Sequence, residues 1–288
     1  MILPMLKDIQ NSHDNRQIPI WKAGIKNLLY PVSVLDRENK VQHTVARVSL
    51  YVDLPHHSKG THMSRFVEIL NEQRGKISLR NIGAILRTMT DRFDCTTAHL
   101  EIRFPYFVEK TAPVSKTRSL MDYQCAFLAS FDRQHEPHAP STALGTGQDL
   151  IVEVVVPVAT LCPCSKEISD QGAHSQRSWI TLRVRSRELV WIEELIAIAE
   201  AEASSGLYSL LKREDEKQVT EQAYARPRFA EDMARAVAQK LRQDKRIIWF
   251  QVESENMESI HNHNAYAMVV NAKARTQQGA HYVPDGKS

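Results

Sequence analysis

The chain has 288 residues, 42% of them hydrophobic, enough for one large domain or two small ones with their own cores. Its 37 basic and 34 acidic residues are interspersed and leave a formal charge of +3, which argues against a basic stripe tracking a nucleic-acid backbone. Four cysteines are too few for a disulfide scaffold, and no apolar run is long enough to span a bilayer. Residues 1–17 lack the apolar stretch of a signal peptide, so a cytoplasmic location is expected.

After that N-terminal tail, a strand is predicted over residues 24–35. A second follows at Ala46, Val48, Leu50, Val52 and Leu54, where apolar residues take every second position. Thr61 offers an N-cap, and Met63, Phe66, Val67 and Leu70 recur at helical spacing until Gly75 stops them. A second helix carries Leu79, Ile82, Leu86, Met89 and Phe93 on one face. Alternation returns at Ala98, Leu100, Ile102, Phe104 and at Tyr123, Cys125, Phe127, Ala129, Phe131. Residues 18–132 therefore read as a ββααββ domain.

Residues 133–148 are rich in Pro, Gly, Ser and Thr without periodicity and read as a connector. The element order then repeats over 149–273. Strands are marked by Leu150, Val152, Val154, Val156 and by Ile180, Leu182, Val184. Helices follow at Leu189, Ile192, Ile196, Ala199, Ala203 and at Phe229, Met233, Val237, Leu241. Two last strands carry Ile248, Phe250, Val252 and Ala265, Ala267, Val269; residues 274–288 form a polar tail. The expectation is an α+β protein of two like domains, each an antiparallel sheet with helices on one face. The other sheet face is then available to an oligomer partner.

The densest chemistry is in the loop between the first two strands of the second half, which holds Cys162, Cys164, Lys166, His174 and Arg177. A thiolate and an imidazole on one hairpin loop suit a borderline-soft divalent metal. A turn with incidental thiols explains Cys-Pro-Cys equally well, and spacing alone does not choose. His261 and His263 lie between the last two strands, and Glu214, Asp215 and Glu216 between the two helices; in isolation each reads as a solvated loop residue. Glu231 falls in the first turn of a helix starting near Pro227. There an acid either balances the helix dipole or, facing a pocket, accepts two hydrogen bonds from a guanine.

Four segments taken together resemble the type IB GTP cyclohydrolases: LPHHSKGTHMSRFVEIL at 54–70, LCPCSKEISDQGAHSQR at 161–177, DEKQVTEQAY at 215–224 and ESIHNHNAYA at 258–267. The resemblance implies two tandem tunnelling-fold domains and a homotetramer with interfacial active sites. It also implies conversion of GTP and water to 7,8-dihydroneopterin 3'-triphosphate and formate, with a divalent metal (Zn, Mn or Fe). Carried over by position, the implied metal ligands are Cys162, His174, Glu216 and His261, with Cys162 and His174 also implied in catalysis. Glu231 is implied as the purine anchor, and the triphosphate needs cations, for which Lys59, Arg65, Lys166 and Arg177 are candidates. One departure is Glu214, where the family pattern leads one to expect proline. Three other readings stay open: an NADPH-dependent nitrile reductase of the same fold with a cysteine nucleophile, a non-catalytic zinc-stabilised module, and a family variant releasing a cyclic phosphate.

Overall fold

The computed structural model describes residues 9–10, 12–73, 77–79, 81–134 and 148–271. Most of the expected connector, the last residues of the first expected helix and the C-terminal tail lie outside them. The chain divides into two compact units, Met1–Phe107 with Asp122–Glu153, and Val108–Met121 with Val154–Ser288.

The first unit holds β1 (Ile20–Asp36), β2 (Lys40–Leu54) and most of β3 (Thr97–Thr111) and β4 (Arg118–Asp132), which follow one another in space as in sequence; the far ends of β3 and β4 and the turn joining them belong to the second unit. The antiparallel register sets Val48 opposite Ile102, Leu50 opposite Leu100 and Val52 opposite Ala98. Period-two alternation thus puts one apolar row per strand on a single face. Helices α1 (Met63–Glu72) and α2 (Ile82–Phe93) bury Phe66, Ile69, Leu70, Ile82, Ile85, Leu86 and Met89 in the same core, and Phe66 stacks on Phe93 at 4.2 Å. The cap residue of α1 is His62, one position after the expected Thr61, which is buried instead. The opposite face carries charge: Lys22 lies 3.6 Å from Glu101, and Arg103 lies 2.7 Å from Glu153.

The second unit contains most of β5 (Gln148–Leu161), followed by α3 (Pro163–Ile168), β6 (Ser175–Ser186), α4 (Ile192–Glu202), β7 (Ser205–Gly206), α5 (Arg213–Ala225), α6 (Ala230–Gln243), β8 (Ile247–Asn256) and β9 (Ala265–Val270). The strand order is β5-β6-β8-β9, with the short β7 on β5. Leu182 faces Val252 and Val184 faces Phe250 in the β6–β8 ladder. Helix α6 packs on β8 and β9 with Met233, Ala234, Val237 and Leu241 buried, and α4, which packs on α6, buries Leu195, Ile196 and Ala199.

Three elements differ from the sequence expectation. The short α3 and the two-residue β7 were not anticipated. The segment read as a loop around Glu214–Glu216 is the first turn of α5, a helix that buries only Asp215 and Ala223 and so shows no apolar stripe. The expected solvated acidic turn is also wrong for Asp215, whose side chain is fully buried. Its carboxylate accepts from the backbone N–H of Val114, Ser115 and Lys212 and from the Ser115 hydroxyl, at 2.6–2.9 Å. One acid thereby caps α5 and pins the turn between β3 and β4.

Burial alone pushes the Asp215 pKa up, but the hydrogen bonds from Ser115, Lys212 and Val114 outweigh it and hold the carboxyl well below the usual carboxylate range. The folded value is below the unfolded one, so the stabilisation is fully present above about pH 4 and is lost as pH falls through the folded value. Asp215→Asn is expected to lower the melting temperature at neutral pH and to flatten the acid limb of a stability-versus-pH curve. Urea unfolding of both proteins across that range checks it; parallel acid limbs would refute the assignment.

Candidate functional site

The ladder between β5 and β6 extends one step past both strand ends, where the Cys162 N–H donates to the His174 carbonyl at 3.1 Å. The two residues therefore sit opposite each other at the mouth of the intervening loop. Cys162 has extended backbone and caps α3, with Pro163 at the first helical position, where its missing N–H costs nothing. Its Sγ accepts the Ser165 N–H at 3.5 Å. The Ser165 hydroxyl donates to the Cys162 carbonyl and accepts the His174 N–H, both at 3.2 Å, stapling the loop ends together. Gly172 takes a φ of +76°, which a side chain would resist, and turns the chain back towards His174.

Other elements of the second unit converge on this mouth. The Arg228 N–H donates to the Leu161 carbonyl at 2.9 Å, setting the approach to α6 beside Cys162, and the Arg228 guanidinium donates to the Glu202 carbonyl at 2.9 Å. Lys166 donates to the Tyr224 carbonyl at 2.6 Å, and its ammonium lies 4.5 Å from that residue's ring centre, tying α3 to the end of α5. From the loop after β8, Glu258 Oε2 lies 3.8 Å and Ser259 Oγ 3.5 Å from His174 Nδ1. Gln176 Oε1 lies 3.0 Å from the same nitrogen.

His261 is two residues beyond Ser259, exposed, and stacks on His263 with ring centres 5.1 Å apart. Glu216 is exposed in the first turn of α5, the end opposite Tyr224. Glu231 is exposed in the first turn of α6, which begins at Ala230 and not near Pro227. The capping role there belongs to Asp232, which accepts the Phe229 N–H at 3.0 Å; Glu231 makes no side-chain hydrogen bond or ion pair among the described residues. Lys59 and Arg65 belong to the first unit, on the approach to α1 and in its first turn, with Lys59 exposed and Arg65 half-buried. Arg177 is exposed on β6, and its carbonyl accepts the Met257 N–H at 3.0 Å. Among the described residues no group of three or more His, Cys, Asp and Glu side chains is gathered closely enough to hold a metal ion.

Residues 6–267 match the family model for type I GTP cyclohydrolase folE2. The chain belongs to the type I GTP cyclohydrolase FolE2 family. Curated relatives named GTP cyclohydrolase FolE2 include that of Geotalea uraniireducens, 54% identical over 264 residues, covering 92% of this chain and 93% of the relative. Those of Syntrophotalea carbinolica and Citrifermentans bemidjiense are each 53% identical over 92% of this chain, covering 94% and 95% of their own lengths. Among solved structures, a uricase from Bacillus fastidious superposes with a TM-score of 0.51 at 8% identity, covering 95% of this chain and 100% of its own. At that identity the likeness bears on the fold alone, and the fold is the tunnelling fold.

In this FolE2-family chain, one end of the second unit gathers Cys162, His174, Lys166 and the loop leading to His261; Glu216 sits at the far end of α5. Sequence reasoning missed Gln176, Glu258 and Ser259. Gln176 was findable, because two residues along an extended backbone share a face with His174. Glu258 and Ser259 reach the ring from 84 and 85 positions away, and no local pattern marks them.

Proposed function

We propose that the chain is a GTP cyclohydrolase of the type IB form, converting GTP and water to 7,8-dihydroneopterin 3'-triphosphate and formate in folate and pterin biosynthesis. The observation that carries this reading is the family match across 92% of the chain at 54% identity, with the Cys162–His174 pair held at one loop mouth. The donor chemistry fits a metal in part. Cys162 offers a sulfur already acting as an acceptor, and the polar groups around Nδ1 of His174 orient its ring as partners of a ligating histidine do. Cys162, His174, Glu216 and His261 are the proposed ligands of a divalent zinc, manganese or iron ion. Such an ion, when bound, supplies water acidic enough to serve as nucleophile towards purine C8 at neutral pH.

The remaining work falls to the chain itself. Glu231, uncommitted to the cap of α6, accepts the N1–H and 2-amino group of guanine and so orients C8. Lys59, Arg65, Lys166 and Arg177 neutralise the triphosphate; Lys166 does so on leaving the Tyr224 carbonyl. Cys162 and His174 frame the reacting carbon, and either His174 or a Cys162 released from the metal supplies the proton for the departing ring nitrogen. We place the enzyme in the cytoplasm; no helix among the described residues is long and apolar enough to cross a membrane.

A homotetramer with sites shared between chains is part of the reading. Eight residues separate Glu216 from Tyr224, about 12 Å along a helix. Since Lys166 ties Tyr224 to α3, the Glu216 nearest a given Cys162 loop is better supplied by a second chain. Mixed oligomers of two inactive variants, Cys162→Ala and Glu216→Gln, are expected to regain activity on subunit exchange. Failure to regain any, with exchange verified, would place the whole site in one chain.

Cys162→Ala is expected to lose turnover by at least about a hundredfold and to retain less metal on dialysis, whereas Cys164→Ala keeps both. Metal content by elemental analysis beside the rate decides it, and undiminished metal and activity in Cys162→Ala would remove the thiolate from the site. Glu231→Gln turns one guanine acceptor into a donor, so GTP affinity is expected to fall about tenfold or more while folding and metal content hold. If affinity is unchanged and only the melting point drops slightly, Glu231 serves the helix dipole, an effect of about 0.3–1 kcal/mol.

A further inference from the structure

We infer that Gln176 is a positioning residue that fixes the tautomer of His174, so that the ring presents a bare Nε2 lone pair; the inference rests on His174 being a metal ligand. A chain of hydrogen bonds runs from the His174 ring back into the sheet. Nδ1 of His174 is 3.0 Å from Oε1 of Gln176, Nε2 of Gln176 is 3.1 Å from the Thr160 hydroxyl, and that hydroxyl is 2.7 Å from the Ser178 hydroxyl. Thr160 and Ser178 are fully buried on the adjacent strands β5 and β6, and Gln176 is 9% exposed. Water therefore does not substitute freely for any member.

The Gln176 amide N–H donates to the Thr160 hydroxyl, whose oxygen can accept it whichever of Thr160 and Ser178 donates to the other. That orientation turns the amide oxygen, an acceptor only, towards the ring. Glu258 independently requires the same state, because its carboxylate lies 3.8 Å from Nδ1 and would repel a lone pair there but attract an N–H. These two acceptor-only partners place the ring proton on Nδ1, and the Ser259 hydroxyl oxygen, 3.5 Å from the same nitrogen, is able to accept from it too. A neutral imidazole carries only one such proton, so Nε2 is unprotonated and free to bind a metal. With the other amide orientation the proton would sit on Nε2 and block it.

The test uses full-length metal-free protein labelled with 15N-histidine in mildly alkaline buffer, with two-bond proton–nitrogen correlation spectra reporting the tautomer. The His174 signals are assigned by their loss in His174→Ala. Wild type is expected to show the proton on Nδ1. Gln176→Leu removes the acceptor and is expected to shift population to the Nε2–H form and weaken zinc binding, titrated against a competing chelator, by roughly 10–100-fold. Gln176→Glu keeps an acceptor at Nδ1, and the Thr160 hydroxyl can turn to donate to it. It is expected to restore both the tautomer and the affinity.

A merely structural role would lower the melting point in both variants without moving the tautomer. The proposal is overturned if wild type carries the proton on Nε2, if Gln176→Leu matches wild type in tautomer and zinc affinity, or if Gln176→Glu loses as much affinity as Gln176→Leu. His174→Ala binding zinc as tightly as wild type would instead overturn the ligand reading, leaving the tautomer result standing.

Discussion

A single backbone hydrogen bond, from the N–H of Cys162 to the carbonyl of His174, fixes the geometry on which the candidate site depends. It continues the ladder of β5 and β6 by one rung, so the thiol and the imidazole inherit the rigidity of the sheet although both lie in loops. Ser165 then crosses the loop mouth twice, and Arg228 brings the start of α6 to the neighbouring Leu161 carbonyl. Each of these contacts involves a main-chain group that would otherwise need water. The sheet thereby gains a solved end, and the reactive side chains are held as a by-product of satisfying the backbone.

The polar relay behind His174 obeys the same economy. Thr160, Gln176 and Ser178 are buried groups that each need partners, and they find them in one another and in the imidazole. A network closed in this way tolerates little rearrangement, because opening any link leaves a desolvated donor or acceptor unpaired. Precision at the ring nitrogen therefore comes from the strand interior and not from the exposed loop.

Strands were legible because residues such as Leu50, Leu100, Leu182 and Val252 alternate faithfully and meet across the sheet in register. The helices with an apolar stripe, α2 and α6, were legible for the same reason at a different period. Helix α5 was not, since it buries only Asp215 and Ala223 and leans on tertiary contacts for its stability. Asp215 itself was misread because its partners, Val114 and Ser115, lie about a hundred positions earlier, where no local spacing points to them. In the site, Cys162 and His174 stand out by residue type, and the surrounding motifs carry the resemblance to the family. Glu258 and Ser259 come to His174 only through the pairing of β6 with β8, a long-range fact that a single sequence does not display.

Two adjacent carboxylates illustrate how the fold separates structure from chemistry. Successive helical residues project about 100° apart, so Asp215 and Glu216 at the start of α5 cannot share an environment. Asp215 takes four donors and becomes the fixed point of the helix; Glu216, one residue on, stays exposed. An exposed acid is ordinarily a poor ligand because ordering it costs side-chain and backbone freedom. Here the backbone part of that cost is already met, since the turn carrying Glu216 is immobilised through its neighbour. A carboxylate that is rigid at its root and open at its tip suits a partner arriving from outside the unit better than one within it. On the proposed reading, this is why the donor set remains incomplete in one chain: the buried acid builds the helix that offers the exposed acid elsewhere.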